Sequence, residues 1–78
     1  MRSLEELVSE VLGVPIGQVS DDMTPDDVDE WDSLSHINLV FALQMQYGLS
    51  FDPADVPAMY SSVGGIRSVL AAKGVEVC

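Results

Sequence analysis

Ser33 is the residue whose type and surroundings most clearly favour chemistry. It stands in the tripeptide Asp32-Ser33-Leu34, at the end of an acid-rich loop and the start of a strongly apolar stretch with helical spacing. Asp32 is a good helix N-cap, so Ser33 is predicted to fall in the exposed first turn of a helix. A modifying enzyme can reach a hydroxyl in that position. The pattern therefore indicates an attachment point for a covalent group rather than a catalytic residue.

His36 raises a rival hypothesis, because it follows Ser33 by three residues and could activate it as a nucleophile. Such an enzyme would also need an oxyanion hole, an orienting group and an enclosed pocket. A chain of 78 residues with one histidine has little volume to shape such a cleft. A lone histidine near a helix start is more often hydrogen-bonded or half-buried. We therefore expect a protein that is not an enzyme.

The charge of the chain narrows the set of partners. Three basic residues stand against thirteen acidic ones, which gives a formal net charge of -10. Such a field repels nucleic acid and anionic membranes, so neither is an expected partner. It steers the chain towards proteins with docking sites lined by Lys and Arg, with a strong dependence on salt.

The length and the cysteine count set limits on the architecture. A chain of 78 residues can bury one small core, so a single domain over 1–78 is expected. The one cysteine, Cys78, has no partner for an internal disulfide, so folding must depend on packing. The sequence shows no signal peptide and no apolar run long enough to span a bilayer. We expect a soluble, cytoplasmic monomer.

A long irregular connection is predicted from Gly13 to Trp31, where no sustained period occurs. Met23, Val28 and Trp31 are expected to pin it to the helices. Its acids do not fit the calcium-binding EF-hand pattern, because no frame combines the required odd positions, central glycine and terminal glutamate. A solvated acidic loop is favoured over a loose divalent-ion site, so no metal is expected. The acids considered are Asp21, Asp22, Asp26, Asp27, Asp29, Glu30 and Asp32.

The first two helices are predicted from their ends and their apolar spacing. Ser3 and Glu6 can form a capping box before the first helix, which Gly13 ends. The second helix is predicted over about Ser33 to Tyr47. At about 100° per residue its apolar side chains separate into two stripes. The core stripe is Leu39, Val40, Leu43 and Tyr47, and the apolar stripe is Leu34, Ile37, Phe41 and Met45.

The apolar stripe leaves two alternatives open. It either packs under the acidic loop or faces a partner, and it begins one turn from Ser33. Methionine and aromatic residues at helical spacing are usually core, so part of Leu34 or Phe41 could be buried. A position beside a modification site also suits a docking surface.

The last third of the chain carries a short helix and a final main helix. The segment 52–57 allows only a turn or a short helix, because its prolines limit where a helix can run. Ser61 or Ser62 can cap the last helix, whose apolar residues repeat the core spacing. Gly64-Gly65 in its first turn predicts either a mobile end or a close approach of the backbone to another helix. The predicted fold is all-α, a small four-helix bundle with three main helices, one short helix and a long first loop.

Nearly the whole chain resembles acyl carrier proteins. The resemblance rests on the run Asp29-Glu30-Trp31-Asp32-Ser33-Leu34-Ser35-His36-Ile37-Asn38-Leu39-Val40, on Ala42-Leu43 and on Tyr47-Gly48. It extends from Leu12-Gly13-Val14-Pro15 to Ser61-Ser62-Val63. It implies the same four-helix bundle.

The resemblance also implies a cofactor and partners. Ser33, flanked by Asp32 and Leu34, would carry a 4'-phosphopantetheine arm transferred from coenzyme A by a magnesium-dependent phosphopantetheinyl transferase. The terminal thiol of the arm would hold an acyl group as a thioester. Further partners would be a loading enzyme, either an acyltransferase or a ligase, and a ketosynthase or other acyl-processing enzymes. Partner contacts are expected at Asp29, Glu30, Ile37 and Phe41.

Some residues depart from the family pattern. The second helix has no acid after Asp32, where family members commonly place several glutamates. Docking is therefore expected to depend more on the loop acids and the apolar stripe. The absence of Gly-Gly before Asp32-Ser33 argues against a peptidyl carrier. Trp31 and the run His36-Ile37-Asn38-Leu39 look like discrete carriers of polyketide or related secondary-metabolite pathways, and less like the fatty-acid carrier.

An alternative from another class is an unmodified acidic interaction module. In that case the loop acids and the apolar stripe would bind a protein, and Ser33 would be an ordinary first-turn residue. Capping sequences of this kind are common, so the motif needs confirmation from its context. Whether Ser33 accepts the prosthetic group discriminates the two hypotheses.

Overall fold

The structure is a computed structural model that describes residues 3–75, so Cys78 lies outside the described residues. Within this range every regular element is helical, as predicted. The elements are α1 (Leu4–Leu12), a 3-10 turn (Ile16–Gln18), α2 (Ser33–Tyr47), α3 (Asp55–Met59) and α4 (Val63–Ala72). Three main helices, one short helix and a long first loop confirm the expected bundle. No helix in the described range has the length and apolar character needed to cross a membrane.

The two ends of α1 are set by local hydrogen bonds. The amide of Glu6 donates to Oγ of Ser3 at 3.1 Å, and the amide of Ser3 donates back to Oε1 of Glu6 at 3.4 Å. The predicted capping box is therefore present. Gly13 ends the helix with a φ of 72°, a left-handed conformation that glycine adopts without strain.

The hydrophobic core is formed by one face of each main helix together with several residues of the first loop. The side chains that are almost completely buried include Trp31, Leu4, Leu39, Leu43, Met59, Ile66, Leu70, Val8, Val28 and Val63. α2 buries its core stripe, with Leu39, Val40 and Leu43 inside and Tyr47 half-buried. The predicted face of α2 is thus the one that packs on α1.

The long first loop is packed rather than free. Met23, Val28 and Trp31 are all buried, which confirms that they pin the loop to the helices. Arg67 of α4 also forms salt bridges to α1 and to the first loop. Its Nη2 lies 2.8 Å from Oε1 of Glu5 and 3.1 Å from Oδ1 of Asp21. These carboxylates, Glu5 foremost, raise the pKa of the Arg67 guanidinium.

The start of α4 shows why glycine stands at position 64. The amide of Gly64 donates to the carbonyl of Asp21 at 3.0 Å, and the amide of Val63 donates to the carbonyl of Met23 at the same distance. A Cβ on Gly64 would lie 3.1 Å from the carbonyl oxygen of Asp21. Gly64 therefore approaches the first loop rather than a helix. At Gly65 the expected close approach to another helix is observed, since a Cβ there would lie 3.3 Å from the carbonyl oxygen of Ala58 in α3. Ser62 is the cap of α4, accepting the amide of Gly65 at 2.9 Å.

Val28→Ala tests whether the first loop belongs to the core. Losing two buried methyl groups should lower the free energy of unfolding by about 2 kcal/mol. Ile16→Ala is the matched control in the same loop, because Ile16 is 51% exposed and its truncation should change stability by less than about 0.5 kcal/mol. Chemical denaturation followed by the fluorescence of Trp31 gives both values. Equal effects of the two substitutions would contradict the packing of the loop.

Candidate functional site

Asp32 caps α2 with extended backbone angles, φ -100° and ψ -178°. Its Oδ1 accepts the amide of Ser35 at 2.8 Å, and its carbonyl accepts the amide of His36, also at 2.8 Å. The hydrogen bond from the amide of Ser35, helped by the Ser35 hydroxyl, lowers the pKa of the Asp32 carboxyl. Asp32 therefore stays ionised at neutral pH and holds the first turn of α2 closed.

Ser33 is the first residue of α2 and is exposed, as the sequence predicts. Within residues 3–75 its hydroxyl makes no hydrogen bond to the protein. The hydroxyl is thus accessible to another molecule, while the backbone that carries it is fixed by the Asp32 cap.

The apolar stripe of α2 faces outward. Its four side chains are Leu34, Ile37, Phe41 and Met45, exposed by 70%, 47%, 58% and 86%. The sequence left open whether this stripe packs under the acidic loop, and the structure shows that it does not. Large apolar side chains in a row on one helix face form the kind of patch that marks an interaction site.

Acidic residues precede this patch along the chain. Asp29 and Glu30 are exposed and are separated from the Asp32 cap by Trp31. The two basic residues of the described range lie elsewhere, with Arg67 bound to Glu5 and Asp21, and Lys73 2.9 Å from Asp55. The surface around Ser33 therefore combines negative charge on the loop side with apolar side chains along α2.

His36 is buried, with 3% of its surface exposed, and does not share a face with the apolar stripe. The indole Nε1–H of Trp31 donates to His36 Nδ1 at 3.1 Å, and His36 Nε2 lies 2.8 Å from the carbonyl oxygen of Val56. A carbonyl can only accept, so the proton of the neutral ring sits on Nε2. Both ring nitrogens are occupied, which excludes His36 as the base for a nucleophilic Ser33.

Tyr60 completes an aromatic cluster with Trp31 and His36. Its ring stacks on that of His36 with centroids 4.7 Å apart, and its hydroxyl donates to the carbonyl of Trp31 at 3.3 Å. Sequence reasoning missed this cluster. One signal was present: His36 comes two residues after Leu34, so about 100° per residue places it on the buried side of α2. Its partners Val56 and Tyr60 lie too far along the chain for any local pattern.

An open cleft lies beside the aromatic cluster. It has a volume of about 390 Å³ and is lined by Thr24, Pro25, Asp26, Tyr60 and Ser61. In the described part of the chain no three His, Cys, Asp or Glu side chains come together as a metal site. The loop acids are thus dispersed along the surface between residues 21 and 32.

A comparison with family models decides the assignment of the chain. The model of the phosphopantetheine attachment site family matches residues 2–70. The chain belongs to this family. Its members attach 4'-phosphopantetheine covalently to a serine, and they are carrier domains rather than catalysts. They work with phosphopantetheinyl transferases and acyl-processing enzymes in general. A search among curated proteins found no match.

The geometry at the start of α2 fits this group. An exposed hydroxyl is the chemical requirement for a phosphodiester link, and Ser33 supplies one. The N-terminus of a 15-residue helix carries partial positive charge, which favours a phosphate there. The start of α2 therefore combines an exposed hydroxyl oxygen, on Ser33, with the partial positive charge of the helix N-terminus, which suits a phosphate group.

His36→Asn should reduce the loss of stability in mild acid. Burial lowers the pKa of His36 below its ordinary value of 6.5, so the unfolded chain binds this proton more readily than the folded chain. The free energy of unfolding of the wild type therefore falls as the pH drops below about 6.5 towards the lowered folded value. Asn can still accept the Trp31 indole proton and does not titrate.

Denaturation of both proteins at several pH values between about 7 and 5 measures this difference. The carboxylates are the same in both chains, so their contribution cancels when the two curves are subtracted. Parallel curves over this range would contradict the buried, neutral state of His36.

Proposed function

We propose that Ser33 is the serine that receives the 4'-phosphopantetheine arm, and that the chain acts over 1–78 as one acyl carrier domain. One observation carries the proposal. Ser33 is exposed at the first position of α2, directly after the Asp32 cap, and its hydroxyl makes no hydrogen bond within the described residues. Membership of the phosphopantetheine attachment site family supports it.

The proposed modification is a transfer from coenzyme A by a phosphopantetheinyl transferase with magnesium. Oγ of Ser33 forms a bond to the phosphorus that bears pantetheine, and the phosphoanhydride bond of coenzyme A breaks. Adenosine 3',5'-bisphosphate leaves, and the serine proton passes to a base of the transferase. The chain contributes the acceptor oxygen, and Asp32 contributes the fixed turn that presents it.

The arm supplies a thiol on a long tether, which holds an acyl intermediate as a thioester that no native side chain of this protein could shuttle as well. The protein's own part is to hold the anchor rigid and to present a surface for enzymes. Leu34 is the next residue after Ser33 and belongs to the exposed apolar stripe. A partner that covers Leu34 therefore comes into contact with the attachment point.

Docking is proposed to use the apolar stripe together with Asp29 and Glu30. α2 carries no acid beyond its Asp32 cap, so the helix itself contributes acidic charge to this surface only at its Ser33 end. We expect partner enzymes to meet Ile37 and Phe41 with an apolar groove, and Asp29 and Glu30 with Lys or Arg residues near their active-site entrance. The partners proposed are the transferase, an acyltransferase or ligase for loading, and a ketosynthase or other acyl-processing enzyme.

The pathway proposed is polyketide or related secondary metabolism, on the likeness of Trp31 and of His36-Ile37-Asn38-Leu39 to discrete carriers of that type. A second function remains in competition, because the exposed apolar stripe would serve an unmodified interaction module equally well. The two functions differ in whether Ser33 is modified.

Ser33→Ala tests the attachment site. Incubation with coenzyme A, magnesium and a phosphopantetheinyl transferase should add one phosphopantetheinyl group to the wild type and none to Ser33→Ala. Ser35→Ala is the matched control, because the neighbouring Ser35 is half-buried and its hydroxyl donates a hydrogen bond to the Asp32 carboxylate. Intact mass under reducing conditions, which prevent disulfides through Cys78, gives the result. A folded wild type left unmodified by two different transferases would favour the interaction module.

Phe41→Gln and Ile37→Gln test the docking surface. Both side chains are exposed, so stability should change by less than about 0.5 kcal/mol. The KM of the transferase for the carrier should rise about tenfold with kcat little changed, because contact area is lost in the complex. Ile16→Gln removes an apolar side chain of similar exposure outside α2 and is the control. Equal KM values for all three variants and the wild type would contradict docking through the apolar stripe.

A further inference from the structure

The turn that carries Ser33 is bounded by two buried aromatic residues. Trp31 comes two residues before Ser33 and His36 three residues after it. Both are almost completely buried, whereas Asp32, Ser33 and Leu34 between them are exposed. The exposed segment is therefore anchored in the core at both ends.

Three hydrogen bonds close this segment into a ring. The indole of Trp31 donates to His36 Nδ1 at 3.1 Å, and the amide of His36 donates to the carbonyl of Asp32 at 2.8 Å. The amide of Ser35 donates to the Asp32 carboxylate, also at 2.8 Å. The bond between Trp31 and His36 is the one of these three that lies in the core, where an unmade hydrogen bond is most costly.

Further contacts hold the two anchors in place. The amide of Trp31 donates to the carbonyl of Val28 at 3.1 Å, and the carbonyl of Trp31 accepts the Tyr60 hydroxyl at 3.3 Å. On the other side, His36 Nε2–H donates to the carbonyl of Val56 in α3 at 2.8 Å. Each anchor is thus fixed to an element other than α2.

We infer that His36 is a positioning residue for the modification of Ser33, acting through its hydrogen bond with Trp31. The inference rests on the function proposed above. Burial alone would be satisfied by an apolar side chain at position 36, which would pack without hydrogen bonds. The buried hydrogen bond fixes the distance between the two ends of the exposed segment and so limits the positions that the Ser33 backbone can take. A serine whose backbone is held in this way is presented to the phosphorus of coenzyme A without the turn first having to be ordered.

Two substitutions of His36 each keep one of its two side-chain hydrogen bonds, to Trp31 or to Val56, and remove the other. The side-chain oxygen of Asn can occupy the place of Nδ1 and accept from Trp31, but Asn does not reach Val56. The side-chain nitrogen of Gln can occupy the place of Nε2 and donate to the carbonyl of Val56, but Gln does not offer an acceptor where Trp31 needs one. Each variant therefore loses one hydrogen bond, and the two should be destabilised to similar degrees.

The rate of modification should distinguish the variants when both are folded. His36→Gln should lower kcat of the transferase about tenfold with KM little changed, because the docking surface is intact and only the presentation of Ser33 is impaired. His36→Asn should restore kcat to within about twofold of the wild type. Trp31→Phe, which keeps an aromatic side chain of smaller volume and removes the donor, should match His36→Gln in kcat when folded, and the double variant should be no slower than either single one.

The indole N–H resonance of the single tryptophan gives a readout that does not depend on activity. In His36→Asn it should stay near its wild-type position, and in His36→Gln it should move upfield as the hydrogen bond is lost.

Equal kcat values for folded His36→Gln, His36→Asn and wild type would overturn the positioning role. Equal losses in both variants would also overturn it, because they would follow stability rather than the Trp31 bond. A wild type that is not modified at all would refute the proposed function instead, so the two failures are distinguishable.

Discussion

The hydrogen bond between Trp31 and His36 is the constraint on which the arrangement of the bundle around Ser33 depends. Burying an indole and an imidazole costs free energy unless each of their polar atoms has a hydrogen-bond partner. Here the indole N–H donates to His36 Nδ1, and the carbonyl of Val56 accepts the hydrogen bond from His36 Nε2–H. Across the described residues no buried side-chain nitrogen or oxygen lacks a partner. The first loop, α2 and α3 must therefore be in place together for the cluster to form.

This constraint leaves α2 with two different faces. Its buried side packs on α1 and contributes His36 to the aromatic cluster, while Leu34, Ile37 and Phe41 are exposed to solvent. A small domain cannot cover every apolar face, because its surface is large relative to its volume. This exposed face fits the docking surface proposed above for the enzymes that use the arm. In the proposed docking, the acids before the cap steer partner enzymes by their charge.

Much of the fold follows from short segments of sequence. Ser3 with Glu6 predicts the start of α1, Asp32 predicts the start of α2, and Gly48 ends α2 with a φ of 64°. These signals are reliable because a cap satisfies backbone groups within a few residues. For the aromatic cluster the sequence indicated only that His36 lies on the buried side of α2 and did not indicate its partners. His36 looked like a neighbour of Ser33, and its true contacts involve a carbonyl 20 residues away.

The sequence by itself determined the ends of α1 and α2, the two stripes of α2 and the placement of Ser33 in an exposed first turn, since all of these depend on hydrogen bonds and spacing within a few residues. Only the tertiary structure decided that the apolar stripe is left in solvent and that Gly64 meets the backbone of Asp21. It also decided that His36 is held neutral between Trp31 and Val56. The reason is that burial and hydrogen bonding between distant segments depend on how the helices pack, which no local pattern of residues specifies.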